Sequence, residues 1–96
     1  MKPSLALQTN RDAIRTVVER HRACNARVFG SVLHGAETPE SDIDLLVEFA
    51  PDRSLFDLVG LQLDLETLLG RRTDVVTEAL LSPYLREQIL LEARPL

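Results

Sequence analysis

The run Ile43-Asp44-Leu45-Leu46-Val47-Glu48-Phe49 constrains this chain most. Ile43, Leu45, Val47 and Phe49 share one face of a β-strand, while Asp42, Asp44, Leu46 and Glu48 share the other. An aliphatic face of that length has to be covered. With aromatics at 4% and no tryptophan, aliphatic side chains must form the core that covers it. In 96 residues there is room for one domain, residues 1–96, and no separate substrate-binding domain.

The rest of the chain supplies the cover. Ala13, Ile14, Val17 and Val18 recur at helical spacing between Thr9 and His21. Ala26 to Phe29 is a short β-prone run stopped by Gly30, and about one helical turn fits between Gly30 and Gly35. Ser54 with Asp57 three residues on opens a helix that runs to Leu69, where Gly70 stops it. Thr73 to Thr77 reads as a third strand, and Ser82-Pro83 opens a last helix reaching about Ala93. The order α-β-α-β-α-β-α predicts an α/β (α+β) domain, a small mixed three-stranded sheet flanked by helices.

Composition narrows the function. Eleven Lys and Arg against fifteen Asp and Glu give a net charge of −4, which disfavours direct nucleic-acid binding. The single cysteine, Cys24, allows no internal disulfide, and with only His21 and His34 no zinc site is expected. A reducing compartment, the cytoplasm, fits. The Met1–Gln8 stretch, interrupted by Pro3 and Ser4, predicts neither export nor a membrane anchor.

The strand ends carry the chemistry. Asp42 and Asp44, two apart, project the same way at about 6.6 Å, a spacing suited to sharing hard cations and costly to keep ionised without one. Gly30-Ser31, at a strand-to-helix turn, offers free backbone N–H groups to phosphate. Asp74 stands inside the apolar run Thr73-Asp74-Val75-Val76, where a carboxylate is costly unless paired or metal-bound. If its strand neighbours that of Asp44, three carboxylates can hold two Mg²⁺ ions, one activating a hydroxyl and one neutralising leaving pyrophosphate. Each piece also has a plainer role. Asp-x-Asp is common in turns and caps, and Asp74 can pair with Arg71 or Arg72. An EF-hand is excluded because its central glycine and closing glutamate are missing.

Gly30-Ser31, Gly35, Ser41-Asp42-Ile43-Asp44 with its apolar strand, and the later Asp74 together resemble the minimal nucleotidyltransferases of the DNA polymerase β-like superfamily. The resemblance runs from about Val28 to the C-terminus. It implies the nucleotidyltransferase fold and Mg²⁺-dependent transfer of AMP from ATP to a hydroxyl. Asp42, Asp44 and Asp74 would be the catalytic and metal-binding residues, with Gly30, Ser31, His34, Gly35 and Ser41 binding nucleotide. Stand-alone domains of this size resemble antitoxins paired with HEPN ribonuclease toxins, adenylylating a toxin tyrosine. That implies a hetero- or homo-oligomer, with an antitoxin acting by binding alone as the alternative. Many members carry Arg just before the second glycine where this chain has His34, and a neutral imidazole holds phosphate more weakly.

The remaining residues read more simply. Leu55, Phe56, Leu58, Val59, Leu61, Leu63, Leu65, Leu68 and Leu69 cover well over half of their helix. That predicts either a sandwiched helix or an apolar strip left for a partner. His21 is expected at the core edge, Cys24 as a small buried hydrophobe, and Arg71 with Arg72 as a solvated pair with a minor part in steering phosphates. Arg15 and His21 match an Arg-x5-His spacing of HEPN ribonucleases. Six residues turn a helix through about 600°, so the two side chains lie on different faces, and the strands exclude an all-helical ribonuclease.

Overall fold

The computed structural model describes residues 2–35 and 37–96. β2, Ile43–Phe49, lies inside a four-stranded sheet of order β3-β2-β1-β4. β1 (Ala23–Phe29) runs antiparallel to it, with Phe29 opposite Asp44 and Val28 opposite Leu45. The register shifts between Cys24 and Arg27, where Asn25 takes a left-handed φ of 51° and its amide donates to Glu48 Oε2. A bulge of this kind leaves Cys24 exposed rather than buried as expected.

β3 (Thr73–Val76) lies parallel to β2, and a parallel pair requires a long crossover. α3, Leu55–Leu69, provides it. Ser54 Oγ accepts from the Phe56 N–H at 3.2 Å, and the Ser54 N–H donates to Asp57 Oδ2 at 2.7 Å, closing a capping box. At the other end Gly70, at φ 66°, donates its N–H to Glu66 O, the left-handed stop that a glycine adopts without steric cost. α3 also protects the sheet edge. The outward N–H groups of Thr73 and Val75 donate to Glu66 Oε2 and Gln62 Oε1 at 3.1 and 3.2 Å.

Two clusters flank the sheet. Ile43, Leu45 and Val47 pack with Ile14, Val17 and Val18 of α2 (Arg11–Arg20) and with Leu61, Leu65 and Leu69 of α3. Leu46 packs with Leu81 and Ala93, joined by Phe29, Val76, Ile89 and Leu90, under α4 (Arg86–Glu92). Asp44, two residues before Leu46, therefore belongs to the α4 side of the sheet.

Four features correct the expected outline. The sheet has a fourth strand, β4 (Arg94–Pro95), whose two residues pair with Val28 and Arg27 and are too few for any periodicity. An extra helix, α1 (Pro3–Thr9), buries Pro3, Ala6 and Leu7, with Pro3 in the first turn where its missing N–H costs nothing. The segment after Gly30 makes the single turn expected there, Leu33 N and His34 N donating to Gly30 O at 3.1 and 3.2 Å, but among the described residues before β2 it is not a helical element, so the expected order loses that helix. Ser82-Pro83 opens a turn, with Leu85 N and Arg86 N donating to Ser82 O, and α4 itself begins only at Arg86. A 3-10 turn, Glu78–Leu80, precedes it.

Candidate active site

The carboxylates of the expected motif meet at the amino-terminal ends of two neighbouring strands. Asp44 and Asp74 are direct register partners across the parallel β2–β3 pair, and Asp42 lies just before β2. The condition that made Asp74 a third carboxylate is thus met by strand pairing. All three carboxylates are partly buried, and Asp44 is the one whose ionisation its surroundings resist. Burial pushes its carboxyl above the usual carboxylate range, and the charges of Asp74 and Asp42 push the same way, while Arg72 opposes them. A hydrogen bond with the Asp74 carboxyl also favours the protonated form.

Gly30 ends β1 at φ 80°, and a Cβ placed on it would lie 2.4 Å from Asp44 Oδ2. Only glycine leaves space for that carboxylate while taking this backbone angle. Ser31 follows on the same turn, partly exposed, and Gly35 closes it at φ 69° with open space around its Cα. The Gly30 turn therefore lies against the Asp44 carboxylate, with no room between them for a side chain.

The other predicted nucleotide residues are differently occupied. Ser41 Oγ accepts from Thr38 N at 2.7 Å and stands 3.2 Å from Thr38 Oγ1, closing the loop that leads into Asp42. His34 Nε2 lies 2.9 Å from Glu92 Oε2 on α4. His21 lies at the core edge as expected, 2.6 Å from Asp64 Oδ2 and against Gly60.

Arg72 is the partner of Asp74, one of the two that the sequence offered that carboxylate, and the structure adds Asp42 to the pair. Its Nε stands 3.7 Å from Asp42 Oδ2 and 3.5 Å from Asp74 Oδ1, so it belongs to the cluster and is no simple solvated neighbour of Arg71. The available signal was its place two residues before Asp74, the spacing that puts both on one side of an extended chain. Among the described residues, no three Asp, Glu, His or Cys side chains converge closely enough to hold one ion as they stand. The donor chemistry nevertheless fits Mg²⁺: carboxylate oxygens only, one of them in an environment that disfavours its ionisation without a cation.

A nucleotidyltransferase domain model matches residues 11–96, spanning the turn, the three carboxylates and α4. The chain belongs to the nucleotidyltransferase domain family. This nucleotidyltransferase is 42% identical over 77 residues to a Methanocaldococcus jannaschii protein provisionally named a protein adenylyltransferase, MJ0435, covering 80% of this chain and 83% of the relative. It is 36% identical over 74 residues to the protein adenylyltransferase MntA of Thermococcus cleftensis, covering 77% and 75% of the two. Among solved structures it resembles one described provisionally as a minimal nucleotidyltransferase, with TM-score 0.85, 48% identity, and 97% and 95% of the chains covered. A Y104A mutant of the MntA-HpeT toxin-antitoxin aligns with TM-score 0.73 at 25% identity, covering 91% of this chain and 71% of that one. The mixed α/β architecture of the nucleotidyltransferase fold is thereby shared, and no helix among the described residues is long and apolar enough to cross a membrane.

Proposed function

We propose that this nucleotidyltransferase acts as an antitoxin that transfers AMP from ATP, with Mg²⁺, to a tyrosine hydroxyl of a HEPN-family ribonuclease toxin in the cytoplasm. The observation that carries the reading is the register pairing of Asp44 with Asp74 beneath the Gly30 turn. The relatives' names, protein adenylyltransferase and toxin-antitoxin, support the reaction and the kind of partner.

Asp42 and Asp44 would hold the metal, and Asp74 would complete the set or accept the proton of the attacking hydroxyl. Mg²⁺ bound there supplies Lewis-acid stabilisation of the charge that develops on the phosphates. Gly30 and Ser31 present the turn that receives the triphosphate. The acceptor oxygen forms a bond to the α-phosphorus, the bond from that phosphorus to the bridging oxygen breaks, and pyrophosphate leaves. Leu55, Phe56, Val59 and Leu63 are at least half exposed on α3, which supports a protein rather than a small-molecule acceptor.

Transfer from α-labelled ATP to the co-expressed toxin tests the proposal. Asp42→Asn and Asp44→Asn should each abolish labelling, and chelation of the metal should do the same; unchanged labelling in either variant would sink the mechanism. A second reading, neutralisation by binding alone, draws on His34, which is held by Glu92 where an arginine would reach for phosphate. An inhibited partner whose intact mass is unmodified after co-expression would favour it.

A further inference from the structure

We propose that Arg72 is the built-in counter-cation of the acidic cluster, occupying the approach between Asp42 and Asp74 until a divalent ion displaces it. The proposal rests on the metal-binding reading of that cluster given above. It concerns a residue to which that reading assigns no role.

Arg72 is placed by backbone. The Ile43 N–H donates to Arg72 O at 3.1 Å, which pins the residue beside the start of β2, between Asp42 and the register pair that follows. Asp74, two residues on, extends from the same side of the chain. The guanidinium thus meets the carboxylate just before β2 and one on β3. A guanidinium keeps its charge at every pH the fold survives, so this compensation is permanent and needs no proton.

The hold is loose. Distances of 3.5 and 3.7 Å exceed those of charge-assisted hydrogen bonds, and the Arg72 side chain is 70% exposed. Exposed pairs of this kind are individually weak, so a divalent ion drawn to the same carboxylate oxygens can replace them. When ionised, three carboxylates and one guanidinium leave a formal charge of minus two, the charge one divalent ion neutralises. Arg72 therefore lessens carboxylate repulsion in the metal-free chain and competes with the metal for the same oxygens. Arg71 is directed elsewhere, its Nη1 donating to Pro39 O at 3.3 Å in the preceding loop.

The test is a Mn²⁺ titration of the full chain without nucleotide, followed by loss of the free-ion paramagnetic resonance signal. Arg72→Gln should bind Mn²⁺ about three- to tenfold more tightly than the wild type, while Arg72→Lys stays within about twofold of it. In low salt and without metal, Arg72→Gln should melt below the wild type, and the same change made on an Asp44→Asn background should lower the melting temperature less. A merely structural arginine would lower the melting temperature whether or not Asp44 is charged and would not tighten Mn²⁺ binding. Equal or weaker Mn²⁺ binding by Arg72→Gln overturns the proposal while leaving the metal site in place. Failure of wild type and variant alike to bind Mn²⁺ overturns both.

Discussion

Gly30 and Asp44 make one unit at the residue scale, because the space a side chain would take at the first is filled by the carboxylate of the second. Gly30→Ala places a methyl group 2.4 Å from Asp44 Oδ2 at a φ that disfavours alanine, so it should cost about 1–3 kcal/mol. It should also abolish labelling of the toxin; thermal melts and the transfer assay read the two effects separately. Asp44 itself has a pH signature. Its folded-state pKa is raised, chiefly by burial, so between the unfolded value and the folded one the native state binds the proton more than the unfolded state does. Stability in the metal-free chain therefore falls as pH rises through that window, and the cost is fully present above it. Asp44→Asn should be no less stable than the wild type at pH 7 and should lose less stability on going from pH 4 to 7, as urea unfolding at the two pH values would show.

Among the elements, α3 shows how local signals and packing divide the work. Its ends are set by chain neighbours, Ser54 with Asp57 and then Gly70, all within a few residues of the helix they terminate. Ser54→Ala should cost about 1 kcal/mol in chemical denaturation. The Asp57 carboxyl is held below its usual range by the backbone N–H of Ser54, so the benefit of the capping box should fade as pH falls through that lowered value. Its faces are another matter. Leu61 and Leu65 are fully buried while Leu63 is 57% exposed, although all three are leucines in one apolar run. Leu61→Ala should cost about 2–5 kcal/mol and Leu63→Ala within about 0.5 kcal/mol, a contrast that melts of the isolated domain measure directly. Helical periodicity did not separate these leucines, because nearly every face of α3 is apolar and only the sheet beneath it chooses one.

For the whole molecule, the matched family region begins at Arg11, beyond α1. α1 buries Ala6 and Leu7 in the larger core, and none of the site residues lies on it. Deleting residues 1–9 should lower stability by about 2–4 kcal/mol and leave transfer activity per folded molecule intact, measured by unfolding and by the labelling assay.

The sequence by itself determined β2, both ends of α3, the start of α2 within a residue, and which carboxylates and glycines to examine. Those features depend on alternation, helical spacing and capping, interactions among residues only two to four apart. Tertiary structure alone decided that Asp74 lies in register with Asp44, that Gly30 leaves room for the Asp44 carboxylate, that Arg72 reaches Asp42 as well as Asp74, and that His34 meets Glu92. It also added β4, a two-residue pairing across the far edge of β1. Each of these joins residues from separate elements, and their register follows from how the aliphatic face of β2 is packed, a constraint no local pattern encodes.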